Sequence, residues 1–256
     1  MKKKVSLFII TALVSFAFLG CSSQPSQQEL AFQSIEGKTH SAVTPVPVDA
    51  PWWKQRFDMA NDRLKEGNVD LLYIGDSITH MFEMNGKQAW DKYYAPRNAA
   101  NLGIGGDRTQ HVLWRLDNYD FSNVNPKLAI IMIGTNNSNN QDNTAEEIAD
   151  GIIAICQSLR TKLPETKILL LAIFPRGQYP SEQREKNAKA SLLASKVADG
   201  DMIHYLDIND KFLTEEGELT KDIMYDYLHP DTKGYQIWVE AIEPEVAKLM
   251  NDKEIK

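Results

Sequence analysis

The feature that most constrains the fold is an alternation between short, continuously apolar segments and longer segments with helical periodicity. Four apolar segments have the length of a β-strand, and each is followed by a glycine, a proline or a polar turn: 69–74, 128–133, 167–174 and 202–208. A weaker extended stretch covers residues 99–103. Strands that are apolar throughout are typical of a parallel sheet that is buried on both faces.

Segments with helical periodicity lie between these strands. Apolar residues recur at helical spacing in three of them: 144–163, 181–198 and 233–250. A further helix is expected from Trp52 to about Lys65, and Thr144 with Glu147 has the spacing of a capping box. This alternation predicts an α/β fold, a three-layer α/β/α sandwich with a mainly parallel sheet of about five strands. Ligands of such folds bind beyond the carboxyl ends of the strands.

The N-terminus has the features of a bacterial lipoprotein leader. Three lysines at 2–4 precede an apolar run from Val5 to Leu19, which is too short for a transmembrane helix and typical of a secretory signal. The run ends in Phe18-Leu19-Gly20-Cys21, which resembles a lipobox. We expect a signal peptide at 1–20, a lipid on Cys21 and an exported protein anchored to a membrane, at the periplasmic face or the cell surface. An ordinary signal peptide followed by a chance cysteine is the alternative.

Residues 21–50 are expected to form a lipidated, flexible tether, because they are rich in Ser, Gln, Thr and Pro and offer little apolar surface for burial. His40 lies in this segment and is expected to be exposed to solvent. The folded domain is predicted to cover residues 51–256. It opens on Trp52 and Trp53, a pair that indicates packing at the domain edge or, alternatively, a platform for a sugar.

Composition argues against several classes of protein. The formal net charge is −7 without a block of like charges, which argues against a nucleic-acid partner. Once Cys21 carries lipid, Cys156 is the one thiol left, so an internal disulfide is excluded. The apolar residues around Cys156, which recur at helical spacing, predict that it lies in the core. The sequence contains no HExxH, cysteine cluster, P-loop or Rossmann fingerprint, so neither a metal nor a cofactor is expected.

Residues capable of chemistry stand at the predicted ends of the strands. Ser77 follows the first strand, and Gly105-Gly106 follow the extended stretch, where glycine can turn a backbone N–H outward. Asn136 follows the next strand and offers a side-chain amide. Asp226 and His229 stand just before the last helix. These residues are expected to meet at one edge of the sheet.

Each of these motifs is common by itself. An Asp-x-x-His sequence also caps helices or supplies half of a metal site, and an Asn after a strand is often a turn residue. In combination they supply a nucleophile, donors for a developing oxyanion, and a base with an orienting carboxylate. The combination is typical of a serine hydrolase that acts on acyl groups.

The constellation resembles the SGNH/GDSL hydrolase superfamily, which is named for its Ser, Gly, Asn and His residues. Within it, the chain resembles the platelet-activating-factor acetylhydrolase catalytic subunits beyond the site as well, in four segments: 103–107, 111–116, 175–177 and 186–189. The similarity runs from about residue 70 to 245. It implies a flavodoxin-like hydrolase fold, and a homodimer is an assembly that it allows.

By this resemblance Ser77 is the nucleophile, His229 the general base, and Asp226 the residue that orients and stabilises the imidazole. The oxyanion hole would consist of the backbone N–H groups of Ser77 and Gly106 and the side-chain amide of Asn136. A narrow acyl pocket that favours acetate is also implied, with three walls: Ile78, Thr135 and Leu228. Isoleucine follows the serine where relatives often have leucine or methionine, which leaves the size of this pocket open.

The function expected from these residues is that of a carboxylic ester hydrolase, an acetylesterase that works through an acyl-enzyme. Export and a surface tether favour O-acetylated carbohydrate as substrate. A phospholipid acetylhydrolase or lysophospholipase at the membrane surface is the alternative. A third hypothesis is a catalytically silent surface-binding lipoprotein, which is disfavoured because every catalytic position holds a working residue.

Five neighbouring residues have structural roles as expectations or as alternatives to a role in the site. His80 could line the edge of the site or simply pack at the surface. Arg176 could contact substrate at the rim or form an ion pair at the sheet edge. Asp76 is expected to hold the local backbone, and Asp107 with Arg108 is expected to form an ion pair that stabilises the glycine loop.

Overall fold

The computed structural model describes residues 24–140 and 142–256 of the chain. The predicted signal peptide, residues 1–20, and the predicted lipid-attachment residue Cys21 lie outside the described residues. In the described ranges, none of the helices combines the length and the apolar character that a membrane span requires.

Five strands form a single sheet: β1 (Leu71–Gly75), β2 (Ala99–Asn101), β3 (Leu128–Met132), β4 (Lys167–Leu171) and β5 (Ile203–Leu206). Their order is β2-β1-β3-β4-β5, and every neighbouring pair is parallel. The prediction of a mainly parallel sheet of about five strands is confirmed. The predicted segments are longer than the strands because apolar residues beyond the last strand bond, such as Ile133 and Phe174, remain buried.

The described part of the chain contains eight α-helices: α1 (Gln27–Gln33), α2 (Pro51–Lys65), α3 (Ser77–His80), α4 (Lys87–Tyr93), α5 (Thr109–Asn118), α6 (Ala145–Lys162), α7 (Glu182–Ala194) and α8 (Thr232–Met250). The predicted capping box begins α6. Thr144 Oγ1 accepts from the Glu147 N–H at 3.2 Å, and Glu147 Oε2 accepts from the Thr144 N–H at 2.9 Å. These bonds satisfy N–H groups that the first turn of the helix leaves free.

The alternating side chains of β1 divide the core into two layers. Leu72 and Ile74 pack on one face of the sheet with α2, α5, α6 and α7. Leu71 and Tyr73 pack on the opposite face with α4 and α8. The chain therefore forms the predicted three-layer α/β/α sandwich, in which burial of apolar surface on both faces is the main stabilising contribution.

The expected core residue Cys156 is buried, and so is one tryptophan of the pair expected to pack at the domain edge. Cys156 lies on α6 without exposure, and burial raises the pKa of its thiol to about 12. Trp53 on α2 is buried, and its indole stacks on Phe57 of the same helix. Trp52, the other member of the pair, is 54% exposed.

The position of β1 creates the crevice for the site. This strand lies between β2 and β3, so the chain turns in opposite directions after β1 and after β2. A sheet opens a crevice at such a point. Gly75 ends β1, and a Cβ there would lie 2.1 Å from Thr79 Oγ1 and 2.5 Å from the Met132 carbonyl. The close approach of α3 to the sheet thus requires glycine at this position.

The predicted flexible tether is wrong for the described residues 24–50, which pack against the domain. α1 buries Ala31 in the core, and the Gln28 side chain donates to the Val197 carbonyl at 3.1 Å. Further along, Thr109 Oγ1 donates to the Ala42 carbonyl at 2.8 Å. The packed domain therefore begins well before residue 51.

Polar contacts explain why composition misled the prediction. Asp150 on α6 pairs with Lys38 Nζ at 2.6 Å and lies 3.0 Å from His40 Nε2. His40 is consequently half-buried, and its expected exposure is also wrong. An ion pair and hydrogen bonds to the backbone order this segment although it contributes few apolar side chains.

Candidate active site

Ser77 lies just beyond the carboxyl end of β1, as the first residue of α3. Asp76 fixes the turn between them, because its Oδ1 accepts from the Ile78 N–H at 3.0 Å. Ser77 Oγ lies 2.9 Å from His229 Nε2, and His229 Nδ1 lies 2.7 Å from Asp226 Oδ2. The structure thus brings the three predicted residues into one hydrogen-bonded chain.

The turn from Asp226 to His229 is organised by a single carboxylate. Asp226 Oδ1 accepts from the backbone N–H groups of Leu228 at 3.1 Å and His229 at 2.7 Å, while Oδ2 faces the imidazole. Tyr227 has φ +60, a conformation that few side chains tolerate. Its carbonyl accepts from the Gly177 N–H at 2.8 Å, which helps to hold that conformation. Asp226 therefore sets both the backbone of the turn and the orientation of the imidazole ring of His229.

Asp226 is held in its ionised form. Partial burial acts to raise its pKa, but hydrogen bonds from the backbone and ring of His229 outweigh burial, and the pKa lies below the ordinary value of 3.8. An anionic partner keeps the proton of the imidazole on Nδ1. Nε2 is then free to accept the proton of the Ser77 hydroxyl.

The glycine loop brings unused backbone donors to Ser77. A Cβ on Gly105 would lie 3.9 Å from Ser77 Cβ, and Gly106 has φ +77, in the left-handed region that favours glycine. The N–H groups of Ser77 and Gly106 make no hydrogen bond to any residue that the structure describes. Both are available to a ligand oxygen.

The loop after β3 supplies a side-chain amide. Asn136 Nδ2 donates to the Asp107 carbonyl at 2.9 Å, which uses one of its two hydrogens. The adjacent Asn137 is buried, and its Oδ1 accepts from the Thr109 N–H at 3.0 Å. Of the two asparagines, Asn136 thus adjoins the glycine loop with a free hydrogen, while Asn137 ties the start of α5 to the loop after β3.

The residues predicted to wall an acyl pocket adjoin the site in the sequence. Ile78 and Thr135 are buried, and Leu228 is half-buried. The Ile78 carbonyl accepts from the Tyr235 hydroxyl at 2.6 Å, and Thr135 Oγ1 accepts from Arg176 at 3.3 Å. These contacts fix the positions of the first two residues, and the pocket itself stays a prediction.

The sequence pattern of the GDSL-like Lipase/Acylhydrolase family matches residues 73–237, which include every residue of the site described above. The chain belongs to this family. Human platelet-activating factor acetylhydrolase IB subunit alpha1 is 33% identical over 222 residues, which cover 84% of this chain and 94% of that protein. The rat alpha2 subunit is 34% identical over 226 residues, with 85% and 95% covered. The resemblance predicted from the motifs is confirmed.

Solved structures share the fold of this GDSL-like chain. A GDSL-like lipase from Bacteroides thetaiotaomicron has a TM-score of 0.58 at 20% identity, covering 76% of this chain and 97% of that one. A catalytic mutant of an acetylxylan esterase from Geobacillus stearothermophilus has a TM-score of 0.55 at 16% identity, covering 74% and 97%. The chain is a carboxylic ester hydrolase with the α/β fold of its family.

A buried ion pair supports the glycine loop of this GDSL-like hydrolase, but its partners differ from the predicted ones. Asp107 pairs with Arg115 on α5 at 2.7 Å, whereas Arg108 pairs with Asp142 at 2.6 Å. Sequence reasoning missed Arg115 because its apolar helix gave no sign that the side chain turns back toward the sheet. The signal that could have identified Arg115 is a basic residue at a position that helical periodicity places on the buried face of α5.

The contacts of Arg176 exclude one of its two alternatives, whereas the alternatives for His80 stay open. Arg176 Nη1 donates to the Thr135 carbonyl at 3.1 Å and to Asn139 Oδ1 at 2.9 Å. It therefore holds the loop after β3 instead of forming the sheet-edge ion pair. His80 is half-buried, and burial together with the positive charge of Arg56 lowers its pKa.

Two further features of the site were not foreseen: the ring of Tyr225 beside the imidazole, and the complete burial of Asp76. Tyr225 is 43% exposed, and its ring lies at 21° to the imidazole of His229 with centroids 6.1 Å apart. Asp76 is fully buried, and burial raises its pKa to about 7. Within residues 24–140 and 142–256, no three His, Cys, Asp or Glu side chains lie together as metal ligands would.

Proposed function

We propose that the protein hydrolyses small acyl esters, acetyl esters above all, by double displacement at Ser77. The observation that carries the proposal is the unbroken chain from Ser77 Oγ through His229 to Asp226, with distances of 2.9 and 2.7 Å. A hydroxyl in this position becomes nucleophilic at neutral pH because the neighbouring base takes its proton during the attack.

Acyl transfer to the enzyme is the first half of the reaction. Ser77 Oγ attacks the ester carbonyl carbon while His229 Nε2 takes the hydroxyl proton. The tetrahedral intermediate then breaks its bond to the alcohol oxygen, which leaves with the proton from His229. The acyl group remains on Ser77, and Asp226 stays ionised and stabilises the imidazolium.

Water completes the reaction. A water molecule gives a proton to His229 Nε2 and attacks the carbonyl of the acyl-enzyme. When the second tetrahedral intermediate collapses, Ser77 Oγ departs with that proton and the free acid is released. In both halves the negative oxygen would accept from the N–H groups of Ser77 and Gly106 and from the remaining amide hydrogen of Asn136.

Preference for a short acyl group is supported by the residues that flank these donors. Ile78 and Thr135 are buried and adjoin Ser77 and Asn136 in the sequence, where they would leave little room for a long acyl chain. A series of p-nitrophenyl esters from acetate to octanoate tests the preference, with Ser77→Ala as the control. We expect kcat/KM to fall as the chain lengthens. Rates that rise with chain length would contradict the acetyl preference, and wild-type rates in Ser77→Ala would contradict the proposed mechanism.

We further propose O-acetylated carbohydrate as the natural substrate. The leaving alcohol must lie beside His229 Nε2 to receive its proton, and the half-exposed Tyr225 next to that ring offers a flat apolar face for a sugar. An acetylxylan esterase among the proteins of the same fold and the expected export also support this class. The value of kcat/KM should therefore be higher for acetylated xylan than for p-nitrophenyl acetate, which carries no sugar.

An acetylated phospholipid is the second candidate, favoured by the acetylhydrolase relatives and the expected membrane location. The two candidates can be compared on one enzyme preparation. Each is added as a competitor of p-nitrophenyl acetate hydrolysis, and its kcat/KM is obtained from the competition. A higher kcat/KM for the phospholipid would replace the carbohydrate proposal without affecting the roles of Ser77 and His229. A fluorophosphonate that fails to label wild type would support the silent lipoprotein instead.

Membrane anchoring is proposed from the N-terminal pattern alone. Removal of residues 1–20 would leave Cys21 as the first residue with several acyl chains, each contributing about 0.8 kcal/mol per buried methylene to membrane binding. Mass spectrometry of the N-terminal peptide and fractionation of a Cys21→Ala variant test this. We expect the variant to leave the membrane fraction, and a variant that stays there would contradict the anchor.

A further inference from the structure

Arg115 is a charged residue with no exposure to solvent, and its contacts reach three separate segments of the site. Nη2 donates to the carbonyl of Gly75 at 3.2 Å, two residues before Ser77. Nη1 donates to the carbonyl of Leu102 at 2.5 Å, at the exit from β2. Nε donates to Asp107 Oδ2 at 2.8 Å, in the glycine loop. One planar guanidinium thus links the ends of β1 and β2 to the loop between β2 and α5.

Asp107 extends this link to the third oxyanion donor. It follows Gly106 directly, and its backbone carbonyl accepts from Asn136 Nδ2 at 2.9 Å. Its other carboxylate oxygen, Oδ1, accepts from the Trp53 indole N–H at 2.6 Å. The Asp107 side chain is fully buried, so each of its hydrogen bonds within the protein replaces a hydrogen bond to water that was lost on folding.

From these contacts we infer that the Asp107–Arg115 pair is the positioning device of the oxyanion hole. It sets the distance between the N–H of Ser77, the N–H of Gly106 and the amide of Asn136 before substrate binds. The inference rests on the proposed function, since it presumes that those three donors act on one oxygen. Neither residue touches the substrate.

The physical reason is the geometry that such a hole requires. Its donors must lie about 2.7–3.1 Å from the place where the negative oxygen develops, and a displacement of about 1 Å can cost on the order of 100-fold in rate. Backbone loops rich in glycine do not hold positions to that precision by themselves. A buried, multiply hydrogen-bonded ion pair does, because any shift of the loop would break bonds that nothing else can replace.

Three variants separate positioning from general stability. Arg115→Lys keeps the charge but cannot reach Gly75, Leu102 and Asp107 together. Trp53→Phe keeps an aromatic ring in the core and removes the donor to Asp107 Oδ1. Tyr119→Phe is the matched control, because its hydroxyl accepts from Arg115 Nη1 at 2.8 Å and makes no hydrogen bond to the glycine loop among the described residues.

The rates are to be normalised to active sites, counted by fluorophosphonate labelling carried to completion. We expect kcat per site on p-nitrophenyl acetate to fall at least tenfold in Arg115→Lys and about fivefold in Trp53→Phe, with KM within about twofold of wild type. Tyr119→Phe should lower the melting temperature and keep kcat per site.

Wild-type labelling and hydrolysis test the proposed function by themselves, independently of these variants. If Arg115→Lys does not fold, Trp53→Phe against Tyr119→Phe decides the inference. An unchanged kcat per site in Trp53→Phe, with only a lower melting temperature, would make the ion pair a stabilising contact and overturn the inference. An equal loss of kcat per site in Tyr119→Phe would overturn it as well.

Discussion

His229 Nε2 lies 2.9 Å from Ser77 Oγ, although 152 residues separate the two in the chain. Each side chain is directed by a carboxylate that binds local backbone. Asp76 fixes the turn into α3, and Asp226 fixes the turn that presents the imidazole. Because both turns are set within the protein itself, the proposed nucleophile and its proposed base are aligned before a substrate arrives.

Replacement of Asp226 by asparagine should remove most of the activity while the turn persists. The amide oxygen of Asn can still accept from the backbone of Leu228 and His229, but its NH₂ would favour the imidazole tautomer with the proton on Nε2. That nitrogen could then no longer accept from Ser77. We expect kcat to fall about 10³- to 10⁴-fold at an almost unchanged melting temperature. Activity within tenfold of wild type would contradict the role of Asp226.

Replacement of Asn136 by alanine should act on kcat much more than on KM. The amide is proposed to bind the oxygen only when it carries negative charge, so its loss raises the barrier without weakening substrate binding. We expect a loss on the order of 10²–10³ in kcat. Asn118→Ala, at an exposed site on α5, serves as the control and should keep full activity. A loss confined to KM would remove Asn136 from the oxyanion hole.

The buried carboxyl of Asp76 should make folding depend on pH. Burial raises its pKa from 3.8 to about 7, so between those values the folded state binds more protons than the unfolded state. Stability contributed by the protonated form is therefore lost as the pH rises across that range. Asp76→Asn lacks this titration and can still accept from Ile78. Its stability relative to wild type should rise from about pH 4 to about pH 8, by on the order of 4 kcal/mol. A difference in melting temperature that does not change with pH would contradict the buried, titrating carboxyl.

The docking of α1 predicts a contrast between two neighbouring residues. Ala31 is 7% exposed and faces the core, whereas Leu30 is 52% exposed. Ala31→Asp would place a charge against apolar side chains and should detach α1, at a cost of about 1–3 kcal/mol. Hydrogen exchange of residues 27–33 should become fast in Ala31→Asp and stay slow in Leu30→Asp. Fast exchange in wild type and in both variants would show that the N-terminal segment behaves as the tether predicted from composition.

Much of the fold followed from the sequence because local patterns carried it. Continuous apolar runs marked the strands, and the Thr144–Glu147 spacing marked the start of α6. The residues that meet at the sheet edge were also predictable, since the carboxyl ends of parallel strands must meet there. Ser77, Asn136 and His229 each stood immediately after a recognisable element or before one.

Contacts between distant segments could not be read in the same way. Asp107 has the adjacent Arg108 as an obvious partner, yet pairs with Arg115, because the turn of α5 points that side chain back toward the sheet. The attachment of Lys38 and His40 to Asp150 depends on polar pairing across more than 100 residues, which composition does not report. Specific polar contacts of this kind are decided by three-dimensional placement.

The most direct test of the covalent mechanism is to trap the acyl-enzyme. Wild type mixed with excess p-nitrophenyl acetate and quenched in acid within milliseconds should gain the mass of one acetyl group. Peptide mapping should place that group on Ser77, and Ser77→Ala should gain none. An acetyl group located on another residue, or a Ser77→Ala variant that hydrolyses the ester at the wild-type rate, would contradict the account.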